Sequence, residues 1–144
     1  MTTQARLDAL MAWYGALSLT SLPDIVRFYA SDAHFKDPFN DVQDIAAITR
    51  IFAHMFSATE QPRFIIGERL VDGQQAFVTW TFTFSLKGRD YAIAGGSHLR
   101  FDAHGLVVLH RDYWDAAEEL LQKLPLIGAP VRWLRRQFAT PGNQ

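Results

Sequence analysis

Six consecutive residues, 110–115, run HRDYWD. They join two carboxylates, an imidazole, a guanidinium and two large aromatic rings directly behind the apolar run 106–109. In a strand, alternate side chains share a face, so His110, Asp112 and Trp114 point one way and Arg111, Tyr113 and Asp115 the other. A second acid, Asp37, stands before Pro38 in the stretch AHFKDP. If Asp37 and Asp112 border one pocket, they can divide acid and base roles or share a proton. Each also has a plainer reading. Asp37 can bond nearby backbone amides at a turn. Asp112 can pair with Arg111, His98 or Arg100 in a buried strand. Asp115 is placed to cap a following helix.

Other chemistry is narrower. There is no cysteine, which excludes thiolate nucleophiles, disulfides and cysteine-ligated zinc. The histidines at 34, 54, 98, 104 and 110 lack the spacing of a metal-binding helix, so no metal is expected. His54 can face either a cavity or water. No cofactor is called for, since proton transfer needs only the side chains.

These residues need elements to position them. Leu7, Leu10, Met11, Tyr14 and Leu17 recur at helical spacing. SLPD then marks a short second helix, with Ser21 as cap and Pro23 in its first turn, burying Ile25, Val26, Phe28 and Tyr29. The residue before Pro38 is pushed out of helical geometry, so AHFKDP, with Phe35 in it, is extended. Asp44 caps a third helix carrying Ile45, Ile48, Phe52, Met55 and Phe56 on one face. After Pro62 the period changes to two. RFIIGERLV is a strand and Asp72 with Gly73 a hairpin turn. Along 75–86, Val78, Trp80, Phe82 and Phe84 alternate with Thr79, Thr81 and Thr83. Lys87 and Gly88 turn the chain into a strand holding Ser97 and Leu99, where Gly95 and Gly96 suggest a bulge or sharp bend. LVVLHRDYWD is the last strand. From Ala116 the tail is helical, interrupted at Pro125 and at 128–130, with Arg132, Arg135 and Arg136 on a solvated face.

The chain's 144 residues predict one domain spanning 1–144, and 49% hydrophobic residues supply its core. A net charge of −1 gives no steering toward nucleic acid. No run is long enough to span a bilayer, and the first ten residues lack an apolar signal core, so a cytoplasmic protein is expected. Three helices followed by an antiparallel meander make an α+β fold, a bent sheet enclosing a cone with a small-molecule pocket at its mouth.

The chain resembles the nuclear transport factor 2-like superfamily over about residues 5 to 125. That superfamily includes ketosteroid isomerases, limonene-epoxide hydrolases and SnoaL-like polyketide cyclases. ALSLTSLPDIVRFYASDAHFKDP and GRDYAIAGGSHLRF are similar to ketosteroid isomerases, while HRDYWD is similar to the last strand of the epoxide hydrolases. The resemblance implies that Asp37 occupies the isomerase base position. It puts Trp13 where the oxyanion tyrosine stands, with Tyr14 one residue on, and Ser97 where the oxyanion acid stands. It gives Asp112 the place of a water-activating aspartate, whose arginine and second aspartate partners have no counterpart on FVTWTFTFS. The implied pocket is lined by Trp13, Tyr14, Phe35, His54, Trp80, Phe82, Phe84, Ser97, Leu99, His110 and Trp114. The implied protein binds a small apolar oxygenated molecule as a cofactor-independent isomerase, cyclase or hydrolase, or as a binding or protein-interaction module. It is a homodimer that buries the threonine face of 75–86.

Overall fold

The computed structural model describes residues 1–119, 129, 130 and 133. The arginine-rich tail expected beyond Ala116 lies mostly outside the described residues. Helix α1 (Thr3–Gly15) starts where the Thr2 hydroxyl accepts the Ala5 amide at 3.1 Å, and it buries Leu7, Leu10, Met11, Trp13 and Tyr14. Helix α2 (Ile45–Ala58) is capped in the same way, the Asp44 carboxylate accepting the Ala47 amide at 2.6 Å.

The SLPD element departs from expectation. It is a 3-10 helix, Leu22–Arg27, and Ser21 makes no side-chain cap to it. With three residues per turn, Leu22, Ile25 and Phe28 line one side and Val26 is turned outward, 63% exposed. Tyr29 does not extend this helix but opens strand β1 (Tyr29–Lys36).

The two-residue β2 (Asp41–Val42) pairs with β1. After α2 come β3 (Glu60–Asp72), β4 (Gln75–Leu86), β5 (Arg89–Phe101) and β6 (Val107–Tyr113), then a short α3 (Ala116–Glu119). These strands form one six-stranded sheet in the order β2-β1-β6-β5-β4-β3. From β3 to β6 every neighbour is antiparallel, as the change of period predicts. Strand β1 lies parallel to β6, so the sheet is mixed, and it is curved and unclosed. The turns obey local chemistry: Gly73, Gly88 and Gly105 all have positive φ.

The expected bulge at Gly95 and Gly96 is absent. β4 and β5 pair without a register break from Gln75↔Arg100 to Leu86↔Arg89. β3 and β4 instead shift register twice, between Glu60 and Arg63 and between Ile66 and Arg69, the second around Gly67, where a Cβ would approach the Thr79 hydroxyl to 2.5 Å. Gly95 and Gly96 make room for rings. A Cβ at Gly95 would come within 2.6 Å of Trp80 on the inner face, and one at Gly96 within 2.5 Å of Phe77 on the outer face. The core lies between the concave face and the helices, with Leu7, Leu10, Ile48, Phe35, Val78 and Leu99 fully enclosed. Among the described residues no helix is long and apolar enough to cross a membrane.

Candidate functional site

Register brings the chemistry together. Pairing of β5 with β6 sets Ser97 opposite Asp112 and Leu99 opposite His110. Parallel pairing of β1 with β6 sets Phe35 beside His110, where the two rings meet edge to face at 4.8 Å. Pairing of β4 with β5 places Val78 opposite Ser97 and Trp80 opposite Gly95. All these side chains point to the concave face.

A continuous chain of hydrogen bonds runs through them. The Tyr14 and Tyr29 hydroxyls are in direct contact. The Tyr29 hydroxyl lies 2.6 Å from His110 Nδ1, with the Tyr14 hydroxyl at 3.3 Å from the same nitrogen. His110 Nε2 is 2.6 Å from Asp112 Oδ1. The Ser97 hydroxyl donates to that same oxygen at 2.5 Å, and the Trp80 indole N–H donates to Ser97 at 2.9 Å. His110 and Ser97 are buried, and the Asp112 side chain is 16% exposed.

The directions follow from what each group can give. Burial, reinforced by the neighbouring Tyr29 and the charge of Asp112, pushes the Tyr14 hydroxyl well above its ordinary pKa. Burial likewise raises Tyr29, with the Asp112 charge adding to it and the bond from Tyr14 opposing it. Both phenols therefore stay protonated and donate. Tyr14 gives to Tyr29, Tyr29 to His110 Nδ1, and His110 gives its Nε2 proton to Asp112 Oδ1. Two donors thus converge on Oδ1. Among the described residues Oδ2 has no hydrogen-bond partner.

Asp112 borders three hollows. An inner pocket of about 20 Å³, roughly one water in size, is lined by Tyr14, Ser97, Leu99, His110, Trp80 and Asp112 among others. A chamber of about 220 Å³ adjoins it, sharing Phe52, Phe64, Trp80 and Asp112. Its walls include Phe82, Phe84, Ile93 and Trp114, and α2 closes it with Ile51, His54 and Met55. A shallow outer depression of about 600 Å³ shares Asp37, Asp112 and Trp114 with the chamber and adds Lys36 and Arg111.

Both carboxylates therefore border the chamber, together with Trp80, Phe82, Phe84, His54 and Trp114. Their environments differ. Asp37 Oδ1 accepts the backbone amides of Phe39 at 2.8 Å and Asn40 at 2.7 Å. The Asn40 side-chain amide reaches both of its oxygens, at 3.1 and 3.2 Å. The turn geometry weighed for an Asp before Pro is present at the pocket's edge. Asp112 pairs with none of Arg111, His98 or Arg100. Arg111 stacks on Tyr113 at 4.8 Å, and His98 bonds Gln75 at 2.9 Å. Asp115 caps α3, accepting the Glu118 amide at 3.1 Å.

Two expected lining residues sit elsewhere. Trp13 turns its indole N–H to the Ser21 carbonyl at 3.0 Å and packs on Phe28, so Met11 and Tyr14 are the α1 residues at the pocket. Phe35 lies behind His110 and Phe52 rather than at a cavity wall. Leu99 lines only the inner pocket, not the chamber. Tyr29 is the network member that sequence reasoning missed, because a phenol next to a helix signal looks like helix core. Phe64 and Asn40 were also missed. Among the described residues no group of three or more histidines and acids is arranged to hold a metal ion.

Residues 10–110 match the family model of the SnoaL-like domain. The chain belongs to the SnoaL-like family. No curated protein matches it. Among solved structures it is similar to a putative SnoaL-like polyketide cyclase from Jannaschia sp., at 14% identity and TM-score 0.70, covering 87% of this chain and 92% of that one. It is similar to a protein of ketosteroid isomerase-like fold from Catenulispora acidiphila, in complex with trimethylamine, at 18% identity and TM-score 0.69, covering 86% and 95%. An LEH-like epoxide hydrolase of M. tuberculosis gives 16% identity and TM-score 0.68, covering 90% and 96%. At these identities the likeness is one of fold.

Proposed function

We propose that the chain binds a small, largely apolar, oxygenated molecule in the 220 Å³ chamber and that Asp112 exchanges a proton with it, in the manner of a cofactor-independent isomerase, cyclase or hydrolase. One observation carries this reading: the two oxygens of Asp112 have different surroundings. Oδ1 is held by Ser97 and His110, while Oδ2 has no partner among the described residues. Gaining or losing a proton at Oδ2 leaves both bonds to Oδ1 in place, so the group can act as base and then as acid with little reorganisation. His110, Tyr29 and Tyr14 hold the carboxylate in position from behind.

Asp37 takes the lesser role. Its bonds to the 38–40 turn favour shaping the chamber's rim over moving protons. The same observation supports a second reading, a non-catalytic binder, because it leaves one free carboxylate rather than a working pair.

Asp112→Asn separates the two readings. Asparagine keeps an acceptor for Ser97 and His110 but cannot take a proton. Ligands are first found by thermal-shift screening of small apolar carbonyl, epoxide and polyketide-like compounds, and their turnover is then followed by mass spectrometry. An enzyme loses 10²-fold or more in rate. A binder retains its ligand and never showed turnover. Failure of every such compound to bind at the chamber would overturn both readings.

A further inference from the structure

Most hydrogen-bond donors around the chamber are already committed. The protons of Tyr14, Tyr29, His110, Ser97 and Trp80 are all spent within the chain that ends on Asp112 Oδ1. Asn40 turns its side-chain amide to Asp37. Lys36 and Arg111 border the outer depression but do not line the chamber, and both are engaged: Lys36 lies 4.0 Å from Asp41 and Arg111 stacks on Tyr113. Of the polar lining groups that leaves His54, which is exposed to solvent on α2, and the indole N–H of the half-buried Trp114.

Negative charge on a ligand would therefore enter a space with two carboxylates, where only the Trp114 indole and the solvent-exposed His54 could receive it. Positive charge would meet Asp112 Oδ2, the rim carboxylate Asp37, and the rings of Trp80, Phe82, Phe84 and Trp114. Aromatic faces attract cations, and the attraction strengthens when water is excluded.

We propose that the chamber selects an apolar organic ammonium ion, with its N–H directed at Asp112 Oδ2 and its hydrocarbon part against the aromatic wall. This rests on the chamber being the ligand site and adds to the ligand a protonated amine as the group that meets Asp112. It also assigns the polar chain a purpose. By turning its own donors inward toward Oδ1, the chain leaves Oδ2 as an acceptor at this end of the pocket.

Three probes of one shape and different charge test it by isothermal titration of the intact protein at neutral pH: N,N-dimethylbenzylammonium, its neutral isostere isobutylbenzene, and phenylacetate. The ammonium ion should bind roughly tenfold or more tighter than the isostere, and phenylacetate should not bind measurably. N-methyl protons should give NOEs to the rings of Trp114 and Phe84. In Asp112→Asn the preference for the cation should collapse while affinity for the isostere stays. Equal or tighter binding of isobutylbenzene or phenylacetate would overturn the ammonium assignment and leave the chamber as a ligand site. Ammonium binding without those NOEs, or a preference that survives Asp112→Asn, would also overturn it. If no probe bound, the chamber itself would fail as the ligand site. The three-probe comparison and the NOEs need no variant, so a poorly folding Asp112→Asn does not block the test.

Discussion

His110 and Asp112 are two residues apart on β6, and the imidazole Nε2 lies 2.6 Å from the carboxylate Oδ1. Neighbours at this spacing share a face of the strand, so the pair is held by one short piece of backbone rather than by packing between distant elements. Truncating Asp112 to alanine strands the His110 and Ser97 donors. The expected cost is about 1–3 kcal/mol for each group left without a partner. Asp112→Asn should cost much less, since its amide oxygen still accepts. Urea denaturation of the two variants measures the difference, and equal losses would count against the inferred bond directions.

Tyr29→Phe should be more harmful than Tyr14→Phe. Tyr29 is the close donor to His110 Nδ1, whereas Tyr14 stands 3.3 Å from that nitrogen. Removing the Tyr29 hydroxyl leaves two buried groups poorly paired, at about 1–3 kcal/mol, while removing that of Tyr14 costs nearer 1 kcal/mol. Chemical denaturation with unchanged slopes would establish the ranking.

Alkaline pH should unfold the protein cooperatively. Tyr14 and Tyr29 have folded pKa values raised above the ordinary 10.0, chiefly by burial. Above pH 10 the unfolded chain gives up phenolic protons that the folded chain retains, so stability falls as pH rises past that point and is intact below it. In a spectrophotometric titration, ionisation of these two phenols should coincide with loss of the near-ultraviolet dichroism. Ionisation well before unfolding would contradict their burial.

Gly95→Ala should disturb the pocket through Trp80, the residue whose indole donates to Ser97. The new methyl would press on the Trp80 ring at 2.6 Å and approach Trp114 Cβ at 3.0 Å. Overpacking of this kind costs about 1–3 kcal/mol and displaces the ring toward the chamber. Thermal denaturation gives the cost, and weaker binding of any chamber ligand gives the displacement.

The outer sheet face should join two copies. Thr79, Thr81 and Thr83 share it with Ile65, Phe77 and Tyr113, which are 49%, 36% and 48% exposed. Exposed apolar surface of this sort on a sheet face favours association. Sedimentation should give a dimer at micromolar concentration, and Thr81→Arg should shift it to monomer. A monomeric parent protein would refute the interface.

Much of this arrangement is legible in the sequence because it is periodic. Alternation along 75–86 assigns Val78, Trp80, Phe82 and Phe84 to one face, and all are buried there. The same rule puts His110 with Asp112. What escapes is whatever depends on which strands become neighbours. Nothing local announces that Tyr29 begins a strand lying parallel to β6, so its bond to His110 is invisible. The paired glycines have a similar history. Glycine in a strand signals a bend or a close approach, and only the position of Trp80 tells which. Trp13 shows the limit of matching by position, since one residue's rotation along α1 sends its indole to Ser21 and hands the pocket to Tyr14.

The parallel seam between β1 and β6 also orders events in time. Tyr29 pairs with Val107, a separation of 107 − 29 = 78 residues, whereas β4 and β5 meet across a turn at Lys87 and Gly88. Closing the longer loop is entropically slower, so the hairpins should form first and β1 should dock last. Tyr29 and Asp37 both arrive with that strand. Pulse-labelled hydrogen exchange should find the 29–36 amides protected later than those of 75–101, which would make the chamber the last part of the molecule to exist during folding.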